Sequence, residues 1–140
     1  MHAAADTFHG YPRYLDMLGG EFRRHGPETT VALRVKDPDH PVTRGIRPGL
    51  SVVDEIYQFQ RDDPGRVHLS LALARHPETG GPGEDPLGLG APPRRGRVFS
   101  TALGHRVDVL EAPWFQTHRL GGIPWALGLG VSGRWAAPHA

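Results

Sequence analysis

The sequence predicts one α/β domain built on a mixed sheet, and three features carry that prediction. Tyr11, Tyr14, Leu15 and Leu18 recur at three and four residues, the period of an amphipathic helix. Between Glu28 and Ala74, apolar residues alternate with polar ones in runs of strand length. Val98–Leu103 is small, apolar or hydroxylated on both faces and uncharged, which suits a central strand covered by helices on either side. That run stops at Gly104 and presents His105. Ligands of open α/β sheets bind outside the carboxyl ends of strands, so His105 stands where chemistry is expected.

Composition narrows the function classes. A chain of 140 residues suits one domain, long enough to bury roughly 70% of its unfolded surface. With 38% hydrophobic and 22% charged residues it has the balance of a globular protein. A formal net charge of +1 implies neither a nucleic acid nor an anionic membrane as partner. The pairs Arg23–Arg24 and Arg94–Arg95 read as solvated faces rather than phosphate sites. The absence of cysteine excludes disulfides, thiolate metal ligands and a cysteine nucleophile within this chain. No apolar run approaches the ~18 residues of a membrane span. Residues 1–6 lack the charged region and apolar core of a secretion signal, so a cytoplasmic protein is expected.

In chain order, Thr7 can cap the helix that follows. Pro12 fits the first turn of that helix at Tyr11–Leu18, and Gly19–Gly20 ends it. Glu28–Lys36 reads as a strand, with Val31, Leu33 and Val35 on one face, closed by the turn Asp37-Pro38-Asp39. His40–Gly45 reads as a short helical turn or loop. Leu50–Gln60 is a second strand interrupted by Asp54 and Glu55. Asp62-Asp63-Pro64-Gly65 is a turn, and Val67–Ala74 is a third strand. Short turns between these strands suggest mixed or antiparallel pairing. His76–Pro93, rich in glycine and proline, reads as a mobile excursion. After the Val98–Leu103 strand a final helix starts near Trp114, with a kink or break expected near Gly121 because Pro124 cannot donate to a carbonyl one turn back. Residues 129–140 read as a tail.

No motif of strong specificity is present: no phosphate loop, no HExxH pair, no Gly-x-Ser-x-Gly elbow. No cofactor is implied. The candidates are polar residues at element ends: His2, Asp6, His25, His40, Glu55 and His105. His25 suits either a general acid or base or a surface residue capping a helix end. His40 suits a hydrogen bond that orders its loop. Strands disfavour acids, so one of Asp54 and Glu55 either faces the buried side, where a carboxylate needs a partner or a function, or both sit at a bulge or edge. His105 has the best position, although a strand-end histidine also serves to bond a neighbouring loop. His118, among apolar residues of the last helix, reads as structural. No ligand spacing points to a metal site, and none is expected.

Several segments, taken in order, resemble the ThuA-like (trehalose utilisation) family. They are His-Ala-Ala-Ala-Asp-Thr-Phe at 2–8, Tyr-Leu-Asp-Met-Leu-Gly-Gly-Glu-Phe-Arg-Arg-His at 14–25, Asp-His-Pro-Val-Thr-Arg-Gly at 39–45 and Asp-Glu-Ile-Tyr at 54–57. Gly-Arg-Val-Phe-Ser-Thr-Ala-Leu-Gly-His at 96–105 and Leu-Gly-Gly-Ile-Pro-Trp-Ala at 120–126 complete the set. The resemblance implies a flavodoxin-like three-layer sandwich of the class I glutamine amidotransferase type, with residues 1–128 as its carboxyl-terminal portion. It also implies a substrate of the trehalose-related or keto-sugar class, and a family without the amidotransferase cysteine nucleophile.

Carried over by position, His25, Glu55 and His105 become the catalytic candidates, with His2, Asp6 and His40 as substrate-binding candidates. Glu55 takes the part of general base, and His25 and His105 share acid, orienting or oxyanion-stabilising parts. Family members usually begin with ~70 further residues carrying the first parallel strands of a doubly wound sheet, so the expected domain lacks those strands. The expected partner is a small sugar, with a homo-oligomer open. The competing reading is a non-catalytic sugar-binding or assembly module, or an inactive truncated copy.

Overall fold

The computed structural model describes residues 2–60, 67–83, 86–91 and 96–129. A 3-10 turn at His2–Asp6 leads into helix α1 (Pro12–Leu18) and strands β1 (Phe22–His25) and β2 (Thr29–Val35). A second 3-10 turn at Pro41–Thr43 precedes β3 (Ser51–Asp54), β4 (Tyr57–Phe59), β5 (His68–Leu73), β6 (Pro86–Ala91) and β7 (Val98–Thr101). Helices α2 (Val107–Glu111) and α3 (Pro113–Ala126) follow. Five strands form one sheet in the order β3-β2-β5-β6-β7, and β1 pairs with β4 in a separate ribbon.

The α/β class holds, but the sheet differs from the mixed one expected. Every strand pairing among the described residues is antiparallel. Parallel pairing needs a crossover of a dozen or more residues, usually helical, and no helix lies between β2 and β7 among the described residues. β7 is also not central: its one described partner is β6. Both α1 and α3 nevertheless pack against it, which accounts for its lack of charge.

Three further elements depart from expectation. The run Leu50–Gln60 is two strands in two sheets, because the chain turns at Glu55–Ile56 and leaves β3 paired with β2 and β4 paired with β1. β1 gave no alternating signal, since only Phe22 of its four residues is partly buried. β6 runs through the supposed mobile excursion. Leucine-glycine alternation has poor strand propensity, yet pairing on both edges and full burial of Leu87 hold it in place. The expected turn at 62–65, residues 92–93 of the excursion and residues 130–140 of the tail lie outside the described residues.

The core lies between the five-stranded sheet and the helices that follow it. Val31 and Leu33 of β2, Leu71 and Leu73 of β5, and Leu87 of β6 meet Val109 of α2 and Phe115 of α3. α3 continues through Pro124 to Ala126, instead of breaking near Gly121. Its glycine pair serves close packing: a Cβ on Gly121 would lie 2.1 Å from the Pro41 carbonyl oxygen, and one on Gly122 2.2 Å from the Phe99 ring. α3 thereby seats on the second 3-10 turn and on β7 at once. No described helix is long and apolar enough to cross a membrane.

Candidate functional site

Asp54 organises the site from beneath. It ends β3, is fully buried, and accepts backbone N–H bonds from Glu55 (3.0 Å), Gly104 (2.7 Å), His105 (3.2 Å) and Arg106 (3.3 Å). One carboxylate so satisfies four amides and ties the segment after β7 to the end of β3. Gly104 makes that segment possible, with φ +98° and no room for a Cβ beside the Phe115 ring.

The turn that follows Asp54 projects Glu55 to the other side. Its carboxylate, 14% exposed, lies 3.1 Å from His2 Nε2, 3.1 Å from His25 Nδ1 and 3.7 Å from His105 Nδ1. Four segments supply these groups: the first 3-10 turn, the end of β1, the β3–β4 turn and the segment after β7. The expectation that one of Asp54 and Glu55 faces inward is met by both, because the strand breaks between them.

Neighbouring acceptors constrain the protons of two rings. His2 Nδ1 donates to the Ala102 carbonyl at 2.7 Å, so Nε2 is the nitrogen that meets Glu55. His25 Nδ1 lies 2.8 Å from the Gly26 carbonyl as well as near Glu55. Both neighbours only accept, so Nδ1 carries the hydrogen and Nε2 is left as the proton acceptor. The His105 ring makes no hydrogen bond among the described residues: its nearest carboxylates, Glu55 and Glu28, stand at 3.7 and 3.8 Å.

Tyr57 forms the floor, its ring 4.2 Å from His2 and stacked on His25 at 6.2 Å between centroids. Burial raises its hydroxyl above the ordinary range, and the negative charges of Asp6 and Glu55 add to the effect. On the outer side a hollow of about 540 Å³ is lined by Glu28, His105, Arg106, Val107, Asp108 and Glu111. Arg106 is held as a cation by hydrogen bonds to Asp108 and Glu28. One ligand atom from each of His2, Glu55 and His105 lies within 4.8 Å of the others, a grouping able to hold a metal ion. Sequence spacing could not reveal it, because each ligand comes from a different segment.

The structure brings together His2, His25, Glu55 and His105, and places Asp6 and His40 elsewhere. Asp6 bonds His9 at 2.9 Å, and His9 also meets Glu21 at 3.3 Å, so its pKa is raised by Asp6 and then by Glu21. His40 is buried, accepts the Val42 N–H, and sets its ring against Trp125 and His68. Burial lowers its pKa, with His68 adding to the effect. This is the loop-ordering part that its position after Asp39 suggests. His118 is structural as expected: it is fully buried, donates to the Val42 carbonyl at 2.6 Å, and is pushed down to about 4 by burial. Glu28 and Tyr57 escaped the sequence reading. Glu28 looked like an ordinary strand start and Tyr57 like an apolar strand member.

A sequence model of the ThuA family, described as trehalose utilisation, matches residues 1–126. A ThuA-like protein of Parabacteroides merdae ATCC 43184 shares the fold with a TM-score of 0.77 at 22% identity, over 96% of this chain and 61% of that one. A ThuA-like protein of Bacteroides uniformis ATCC 8492 does so with a TM-score of 0.66 at 21% identity, over 89% of this chain and 56% of that one. The chain therefore spans less than two thirds of either solved relative. No curated protein matches it in sequence.

Proposed function

Because the chain belongs to the ThuA family of trehalose utilisation, we propose that it is a cytoplasmic enzyme of carbohydrate metabolism that moves protons on a trehalose-related or keto-sugar glycoside. The observation that carries this reading is the Glu55 carboxylate faced by three imidazoles, His2, His25 and His105, beside a hollow. Proton transfer on a sugar needs a base and an acid a few ångströms apart, with at least one of them open to substrate. Glu55 is held by two rings and takes the part of base. His105, with its side chain 45% exposed, takes an acid or orienting part, and His25, 44% exposed, acts as acid once its Nε2 has taken up a proton. His2 orients Glu55 from the buried side, and Asp6, paired with His9, is left out of the proposal. His40 is left out of the proposal, its ring being enclosed by Trp125 and His68.

The packing of α1 and α3 on β7 supports extending the proposal to a flavodoxin-like three-layer arrangement. Assembly into a homo-oligomer belongs to it as well: Leu120 and Ile123 on α3, 68% and 50% exposed, offer apolar surface for a second copy. The test of the chemistry is Glu55→Gln, assayed against trehalose-related glycosides and their keto forms. Turnover is expected to fall by ~10²–10⁴, the usual contribution of a positioned base, while the melting temperature stays close to wild type. Full activity in that variant removes the assignment.

A further inference from the structure

We propose that His2, Glu55 and His105 form a binding site for one divalent transition-metal ion of the zinc class. The inference concerns the same cluster as the proton transfer and rests on that reading only for the part the ion plays, since binding is measured without substrate.

Three observations carry it. The first is an acceptor facing an acceptor. The Ala102 carbonyl takes the Nδ1 hydrogen of His2, which leaves Nε2 aimed at Glu55 Oε1 from 3.1 Å. A neutral ring holds a lone pair there, against a carboxylate. The contact is favourable only with a second proton on the ring or with a cation between the two atoms, and a metal ion satisfies both lone pairs. The second is spacing. Zinc–ligand bonds of ~2.0–2.1 Å in tetrahedral geometry separate ligand atoms by ~3.3 Å. His2 Nε2 and His105 Nδ1 stand 3.1 and 3.7 Å from the same Glu55 oxygen, and all three groups fit within 4.8 Å. The His105 ring makes no hydrogen bond among the described residues, so it is available to turn inward.

The third is the outer support that metal ligands require. His2 is oriented by the Ala102 carbonyl, the other oxygen of Glu55 lies 3.1 Å from His25 Nδ1, and the backbone of His105 is anchored by Asp54. Two histidines and one carboxylate are a ligand set of catalytic zinc sites, and they leave a coordination position for water or a sugar oxygen. An ion there would polarise a sugar carbonyl or hydroxyl, with Glu55 then a ligand and His25 Nε2 the remaining proton acceptor.

The experiment uses untagged, metal-stripped protein. Zn²⁺ binding is followed by calorimetry and Co²⁺ binding by its visible absorption. One ion per chain is expected, with visible bands of four- or five-coordinate Co²⁺ and an upward shift of the melting temperature. Glu55→Gln and His105→Ala should each weaken binding about a hundredfold or more, whereas His9→Ala and His68→Ala, in the neighbouring histidine–carboxylate groups, should not. Absence of micromolar binding by the wild type overturns the inference. So does wild-type affinity in Glu55→Gln and His105→Ala, because the ion would then sit elsewhere. Should either variant fail to fold, the wild-type Co²⁺ spectrum decides, and six-coordinate bands count against the site. Turnover by stripped protein that binds no ion overturns this inference alone. Ion binding without turnover of any sugar supports the site and counts against the proton-transfer reading.

Discussion

Replacing Asp54 by asparagine separates the carboxylate that builds the site from the one that works in it. Asp54 Oδ1 accepts the N–H groups of Glu55, His105 and Arg106, and Oδ2 accepts that of Gly104 at 2.7 Å. An asparagine keeps one acceptor oxygen. If it takes the three-bond position, its amide nitrogen points donors at the Gly104 N–H, and a buried donor loses its partner at ~1–3 kcal/mol. The three surviving bonds fall from charge-assisted to neutral strength, partly offset by easier burial of a neutral group. Together these put the loss near ~3 kcal/mol, or ~10 °C in melting temperature for a domain of this size.

Circular dichroism melts of wild type, Asp54→Asn and Glu55→Gln make the comparison. Glu55 is only partly buried and pairs with His2 and His25 side chains, and a glutamine can still pair with them, so its variant should melt within ~3 °C of wild type. The reasoning is refuted if Asp54→Asn melts with the wild type, or if the two variants lose the same stability.

Two other perturbations probe the support of α3. Folding depresses the His118 pKa to about 4, so the unfolded chain takes up this proton more readily and stability drains as pH falls from ~6.5 toward 4. At pH 5 the loss from this group should reach ~2 kcal/mol. Urea melts at pH 7 and pH 5 should show it, and His118→Gln, which can still donate to Val42, should flatten the difference; an unchanged pH slope in that variant argues against the assignment. Gly121→Ala places a methyl 2.1 Å from the Pro41 carbonyl oxygen. It should cost ~1–3 kcal/mol as overpacking against backbone, and an unshifted denaturation midpoint would mean that α3 does not sit so close to that turn.

The chain itself made α1 legible through its three-and-four spacing, its proline at the start and its glycine at the end. β2 was legible because its alternating faces survive into the structure, and β5 because its leucines Leu71 and Leu73 are fully buried, although Ser70 and Ala72 between them are buried as well. His2, His25, Glu55 and His105 were legible one by one, as polar residues at element ends and as positions matching a family. What local pattern could not show is where each sits relative to the others. Asp54 and Glu55 looked like rivals for one inward position, and only the turn between β3 and β4 gives each its own. β6 lay hidden because leucine-glycine alternation carries little intrinsic preference, and its two neighbours supply the hydrogen bonds that hold it.

Periodicity and residue type, then, determined the α/β class, the main helix, the principal buried faces and the chemical character of the candidates. Those properties are local, set by spacings of two to four residues and by side-chain chemistry. The tertiary structure decided that all described pairing is antiparallel, that β7 has β6 as its one partner among the described residues, and that one glutamate meets three histidines. Such contacts join residues 30 to 53 positions apart in the chain. They depend on loop closures and on buried anchors such as Asp54, whose four amide bonds bring the segment after β7 to the end of β3.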